Sequence, residues 1–173
     1  IVRRERPEVL LGYDDHERYP HPDHLRIHDL SLAVFDAAAD PDRFPNAGAP
    51  WAVSRVYAPV FMASRIRLLH QAMLDRGAES PFAQWMERLA DAEDDPDIVR
   101  AHIDVTGFIE RGRDALRAHR TQIDPDGFWF QVPLEVIEAV YPFEDFELLA
   151  SRDTETSPAA RDDLFAAAVS VPG

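Results

Sequence analysis

The stretch Val9-Leu10-Leu11-Gly12-Tyr13-Asp14-Asp15-His16-Glu17-Arg18-Tyr19-Pro20-His21-Pro22-Asp23-His24 decides how the chain is read. It opens with a short continuous apolar run of the kind buried on both faces of a parallel sheet, so residues 7 to 13 are expected to form a strand. Pro22 at a first helical position costs no hydrogen bond, and Asp23 complements the positive end of the helix dipole. A helix from about Pro22 to Ala39 is therefore expected, stopping near Asp40-Pro41. Strand, loop and helix in this order put residues 14 to 21 at the carboxyl end of the strand, where open α/β sheets place their ligands.

The loop is dense in groups that bind metals or move protons. Four of the seven histidines (His16, His21, His24, His28) fall in thirteen positions, interleaved with Asp14, Asp15, Glu17 and Asp23. On a helix beginning at Pro22, His24 and His28 share a face that Ser31 and Phe35 continue, while His21 stands at or just before the cap. An imidazole at a helix mouth suits zinc, and a second one three residues earlier could orient it or meet charge developing on a substrate. The bland alternative is that such His-x-x-His pairs are caps or surface polar residues.

Further along, the same helix is expected to bury Ile27, Leu30, Val34 and Ala37. Residues 40 to 50, rich in proline, read as a loop, and residues 51 to 60 as a second strand. Helices are expected from Ser64 to Arg76, with Ile66, Leu69 and Met73 inward and Gly77 as C-cap, and after Ser80-Pro81, burying Phe82, Trp85, Met86 and Leu89. Residues 91 to 97 read as a solvated acidic turn, since Ala92 and Pro96 break the pattern a calcium loop needs. Ala101 to Val105 is a strand candidate, and Thr106 a candidate cap for a helix to about Arg120. Phe128-Trp129-Phe130 reads as an aromatic patch packed over the Asp124 turn, or as the lining of an apolar pocket. Pro133 opens a short helix. Phe146, Leu148 and Ala150 alternate as in a strand, and Leu164-Phe165 forms a terminal apolar anchor.

Composition narrows the function classes. At 173 residues and 46% hydrophobic content, one core and a single domain over 1–173 are the default. A net charge of −14 repels phosphate backbones and anionic lipid, which argues against nucleic-acid or membrane partners and for a small-molecule one. No apolar run approaches the ~20 residues of a membrane span, and a cytoplasmic location is expected. There is no cysteine, so any metal must be held by His, Asp or Glu. All eighteen basic residues are Arg, which removes lysine Schiff-base and P-loop chemistry. No internal repeat, Gly-rich phosphate loop or nucleophile elbow is present.

With these residues in view, the chain resembles the carboxyl-terminal part of the mycothiol S-conjugate amidase family, in the zinc-dependent N-acetylglucosaminyl-phosphatidylinositol deacetylase (LmbE-like) superfamily. The resemblance covers nearly all of the chain. It rests on Tyr19 to His24 with His28, Ala37 to Pro41, Leu69 to Leu74, Glu79 to Ala83, and Ala118 through Phe130. It implies the carboxyl-terminal portion of a Rossmann-like α/β fold, a mixed sheet with flanking helices whose amino-terminal strands precede this chain.

By the same resemblance His24 would be a zinc ligand, His21 would polarise or protonate the oxyanion or leaving group, Asp23 would hold His21 in its working tautomer, and Tyr19 would reach the carbonyl oxygen. His119 and Gln122 would contact substrate. The implied cofactor is one Zn2+ per full-length chain, lowering the pKa of a bound water toward about 7 for attack on an amide. The implied reaction cleaves a mycothiol S-conjugate to a mercapturic acid and glucosaminyl-inositol, a detoxification step. The family's other two zinc ligands and its general base lie in a His-Pro-Asp-Asp segment that has no counterpart here, so this chain alone is expected to bind zinc poorly and not turn over. Glu17 and Arg18 stand where the family has small, Gly-rich residues. Two alternatives remain open: the N-acetylglucosaminyl-inositol deacetylase of mycothiol biosynthesis, and a truncated, non-catalytic binding module.

Overall fold

The computed structural model describes residues 1–15, 21–94, 100–153 and 162–166. The chain is α/β and divides into two compact units. The first comprises residues 1–60, 97–103 and 145–173, and the second 61–96 and 104–144.

The first unit is built on a four-stranded mixed sheet of order β1-β2-β4-β3, with β1 Val9–Leu11, β2 Arg55–Pro59, β3 Arg100–Asp104 and β4 Phe143–Ser151; the last residue of β3 and the first two of β4 fall in the second unit. β1 and β2 run parallel, Leu10 opposite Val56, and β2 and β4 antiparallel with a bulge between Val56 and Tyr57. A short helix α1 (Val2–Glu5) precedes the sheet, and α2 (Pro22–Ala39) connects β1 to β2. This is the βαβ connection that parallel strands require, and it leaves the loop after β1 at the strand's carboxyl end. One face of the sheet buries Val53 and Val56 against Phe35 of α2. In another cluster Tyr57, Ala101 and Phe146 pack together with Leu164, so the anchor read in the sequence is Leu164 rather than the exposed Phe165.

Two expectations for the first unit need correcting. β1 is not buried on both faces: it stands at the end of the sheet order, and Leu11 is 57% exposed. Among the described residues only β2 pairs with it, and none of them pairs with its outer edge. Of the stripe Ile27, Leu30, Val34 and Ala37 expected for α2, only Ala37 is buried. Ile27 and Leu30 are exposed, and the helix buries Ser31, Phe35, Ala37 and Ala38. The face that begins with His24 and His28 is therefore the inward one.

Arg3 explains how α2 ends. Its buried guanidinium donates to six backbone carbonyls, those of Ala37, Ala38, Asp40, Arg43, Phe44 and Gly48. The last carbonyls of a helix lack intrahelical partners and carry the negative end of its dipole, and a cation there answers both needs.

The second unit is helical, with α3 (Ala63–Asp75), α4 (Ala83–Leu89), α5 (Ile109–Arg117) and α6 (Leu134–Val140) among its described residues. Ile66, Leu69 and Met73 of α3 pack with Phe82, Val132, Val136 and Ile137, as the helical spacing predicts. Gly77, at φ +69°, follows α3 in the left-handed conformation glycine adopts without strain. Asp94, from the acidic turn, accepts the amides of Ala63 and Ser64 and so caps α3; residues 95 to 97 of that turn lie outside the described residues. Thr106 does not cap α5. Its amide is instead bound by Asp104, and the helix begins at Ile109. Phe128 packs into the core against Trp85, whereas Trp129 is 46% exposed.

Candidate functional site

α2 starts where the sequence places it, and His21 is its N-cap. The cap is unusual in chemistry, because the acceptor is an imidazole: Nδ1 of His21 accepts the backbone N–H of Asp23 at 3.2 Å. Accepting through Nδ1 puts the proton of the neutral ring on Nε2, so His21 presents an N–H donor on its far edge. The Asp23 carboxylate is 3.9 Å from the same Nδ1 and 85% exposed. In this geometry the residue holds His21 through its backbone amide.

His24 lies in the first turn of α2, its ring centroid 5.4 Å from that of His21 and tilted by 49°. A second aromatic neighbour is Tyr13, in the loop leaving β1. The two rings stack at 3.9 Å with planes only 18° apart. His28, one turn further along, reaches the same loop: its Nδ1 donates to the Tyr13 carbonyl at 2.8 Å, and its Nε2 is 3.9 Å from Asp15. Gly12 makes this approach possible. Its amide donates to Tyr57 at the end of the β1–β2 ladder, and a Cβ at this position would lie 2.5 Å from Ser31 Oγ. With no side chain at Gly12, the loop lies against α2 and delivers Tyr13 to His24.

The first unit thus gathers His21, Asp23, His24 and His28 at the amino-terminal end of α2. Tyr19 and His16, with Glu17 and Arg18, lie outside the described residues. His119 and Gln122 belong to the second unit, both exposed in the turn after α5, where the Gln122 amide donates to the His119 carbonyl. Tyr13 was not singled out in the sequence, where it read only as the end of a strand. Its signal was the Gly12-Tyr13 pair at the strand's carboxyl end. The His102–Asp145 pair was also missed: Asp145 is buried and lies 2.7 Å from Nδ1 of the half-exposed His102, a contact between β3 and β4 with no spacing signature.

The donor chemistry of His24 suits one zinc ligand. No group of three His, Asp or Glu side chains able to hold a metal ion is formed among the described residues, so these do not by themselves enclose one. What they offer is a helix mouth carrying one fixed imidazole and one N–H donor.

No family profile matches the chain. Individual curated proteins do. The chain is 39% identical over 168 residues to a mycothiol S-conjugate amidase of Streptomyces coelicolor, covering 95% of this chain and 57% of that protein. It is 37% identical over 176 residues to 1D-myo-inositol 2-acetamido-2-deoxy-alpha-D-glucopyranoside deacetylase 1 of Frankia alni, covering 98% of this chain and 60% of the relative. A deacetylase of the same description from Geodermatophilus obscurus is 36% identical over 171 residues, 96% of this chain and 56% of the relative. The chain therefore shares its sequence, over nearly all of its own length, with mycothiol S-conjugate amidase and the inositol acetamido-deoxyglucopyranoside deacetylases, and spans less than two thirds of each of these relatives.

Proposed function

We propose that this chain carries one wall of the active site of a zinc-dependent amide hydrolase that cleaves mycothiol S-conjugates to a mercapturic acid and glucosaminyl-inositol. The observation that carries the reading is the His21–His24 pair at the mouth of α2, in a chain 39% identical to an amidase of that name. His24 is one zinc ligand in this reading, and the other ligands and the general base come from outside the described residues. His21 uses its Nε2–H to meet negative charge on the tetrahedral oxygen, where a fixed donor acts most strongly, and the leaving amine takes the proton that the general base removed from the attacking water. Asp23 keeps the opposite ring nitrogen occupied, which holds the donor tautomer. Tyr19 contacts the carbonyl oxygen, and His119 and Gln122 contact substrate. The site is expected to work in the cytoplasm.

The deacetylase relatives favour a second reading, in which the amide is the N-acetyl group of an unconjugated glucosaminyl-inositol. One experiment separates the two. The chain is joined behind the amino-terminal portion of the amidase relative, loaded with zinc, and offered both substrates. Release of a mercapturic acid from the S-conjugate at a higher kcat/KM than acetate from the unconjugated amide is expected. The reverse order assigns the deacetylase, and no hydrolysis of either, with one zinc bound, refutes both. His21→Ala should lower kcat by roughly 10²- to 10³-fold, the range of a lost oxyanion donor.

A further inference from the structure

We infer that Tyr13 and His28 are positioning residues for His24, acting as a two-part clamp on its imidazole. Tyr13 fixes the plane of the His24 ring by stacking on it at 3.9 Å and 18°. A ring so covered on one face cannot rotate about its Cβ–Cγ bond without losing the stack, so its edge nitrogens keep one direction. His28 fixes Tyr13 in turn, by donating from Nδ1 to the Tyr13 carbonyl at 2.8 Å. His28 is rigid enough for this, being one helical turn after His24 on the same face, with a side chain only 13% exposed. The far side of the loop is pinned as well, since Gly12 is tied to Tyr57 and closed against Ser31. The clamp therefore connects β1, its loop and α2 around one side chain.

The inference rests on the proposed ligand role of His24 only for its use; the clamp itself is a statement about ring orientation. A partner that orients a ligating imidazole preserves affinity by sparing the ring the entropy of finding its direction, and loss of such partners costs 10- to 100-fold in metal affinity as an order of magnitude. A Tyr13 carrying the hydroxyl as its working group would be a different device. The stack needs only the ring.

The test reads the histidine rings of the intact chain by carbon–proton correlation NMR at one pH, without metal. The His24 ring protons are expected upfield of those of an exposed imidazole, because they lie over the face of Tyr13. Tyr13→Phe should leave them there and Tyr13→Leu should release them. His28→Leu should release them in part, while His28→Asn, whose amide nitrogen keeps a donor near the Nδ1 position, should restore them. His24 protons without an upfield position in the wild-type chain, or unmoved by Tyr13→Leu, overturn the clamp. Zinc chloride added to the same samples forms the second arm. His24 is expected to be the ring most perturbed, with roughly tenfold weaker response in Tyr13→Leu than in Tyr13→Phe. Equal responses of those two variants overturn the positioning role. A His24 that ignores zinc in the wild-type chain sinks the ligand reading instead, and leaves the metal-free arm to decide the clamp.

Discussion

Tyr57 carries a polar group that no described residue meets in hydrogen-bond geometry. Its side chain is 1% exposed among Ala101 and Phe146, and among the described residues no hydrogen bond reaches its hydroxyl. Arg55, two residues earlier on β2, makes its hydrogen bonds to the Asp153 carboxylate and the Leu164 carbonyl, and stands near enough to act on the phenol by its charge. Burial is the largest single influence and opposes its charge, but the Asp153 hydrogen bond and the nearby Tyr57 and Asp153 together outweigh it and keep the guanidinium above its ordinary value. For Tyr57, burial pushes the phenol above its ordinary range, with Arg55 working partly against it. The folded chain thus holds this proton to higher pH than the unfolded chain does. The corresponding stability is fully present below the unfolded value of about 10 and falls as pH rises beyond it. Tyr57→Phe removes a buried, unsatisfied hydroxyl whose desolvation costs about 1–3 kcal/mol. It should leave urea stability at neutral pH unchanged or raise it by about 1 kcal/mol, and it should flatten the alkaline loss. A clear loss at neutral pH would show that the hydroxyl has a partner after all.

At the scale of the element, α2 shows what the sequence can and cannot reveal. Its limits were legible because they are local: Pro22 and Asp23 favour a helix start, and Asp40-Pro41 a stop, whatever the chain packs against. Its buried face was not. Ile27 and Leu30 are more apolar than His24, His28 and Ser31, yet the second set faces inward. The face is chosen by tertiary contacts, namely Phe35 on Val53 and Val56, and Ser31 against Gly12. Nor did the sequence disclose the device at the other end of the helix, where Arg3 reaches across more than thirty residues to its carbonyls. Arg3→Met keeps much of the buried stem but takes the guanidinium from those carbonyls and from the loop that follows, while Ala38 keeps the Trp51 amide. A cation well placed at a helix end contributes up to ~2 kcal/mol, and each buried group left unpaired costs about 1–3 kcal/mol. A loss of roughly 3 kcal/mol or more in urea unfolding is the order expected, with amide exchange rising first in residues 40 to 48. A variant as stable as the wild type would mean that water replaces the guanidinium there.

For the whole molecule, the general class was easier to read than the site. Apolar strands and amphipathic helices pointed to an α/β chain, because periodicity is local to each element, while the mixed sheet was implied by the family resemblance. The site depends on contacts between a loop and a helix face, and Tyr13 beside His24 is invisible to spacing because the two lie on different elements. Net charge is the one global property the sequence states outright, and it has a thermodynamic consequence. An excess of −14 makes the folded chain repel itself, while salt shortens the reach of that repulsion to about 8–10 Å near physiological strength. Salt also weakens the surface pairs that Arg117 makes with Glu110 and Asp114, but such exposed pairs contribute little. The long-range repulsion acts among all the excess carboxylates at once, so it should outweigh these few local attractions. Raising sodium chloride from about 10 mM to about 0.5 M is therefore expected to raise Tm by several degrees, since roughly 1 kcal/mol corresponds to about 2–4 °C in a domain of this size. Circular dichroism melts in the two buffers decide the matter: a lower Tm in high salt would mean that local ion pairs, rather than net repulsion, set the electrostatic balance of the fold.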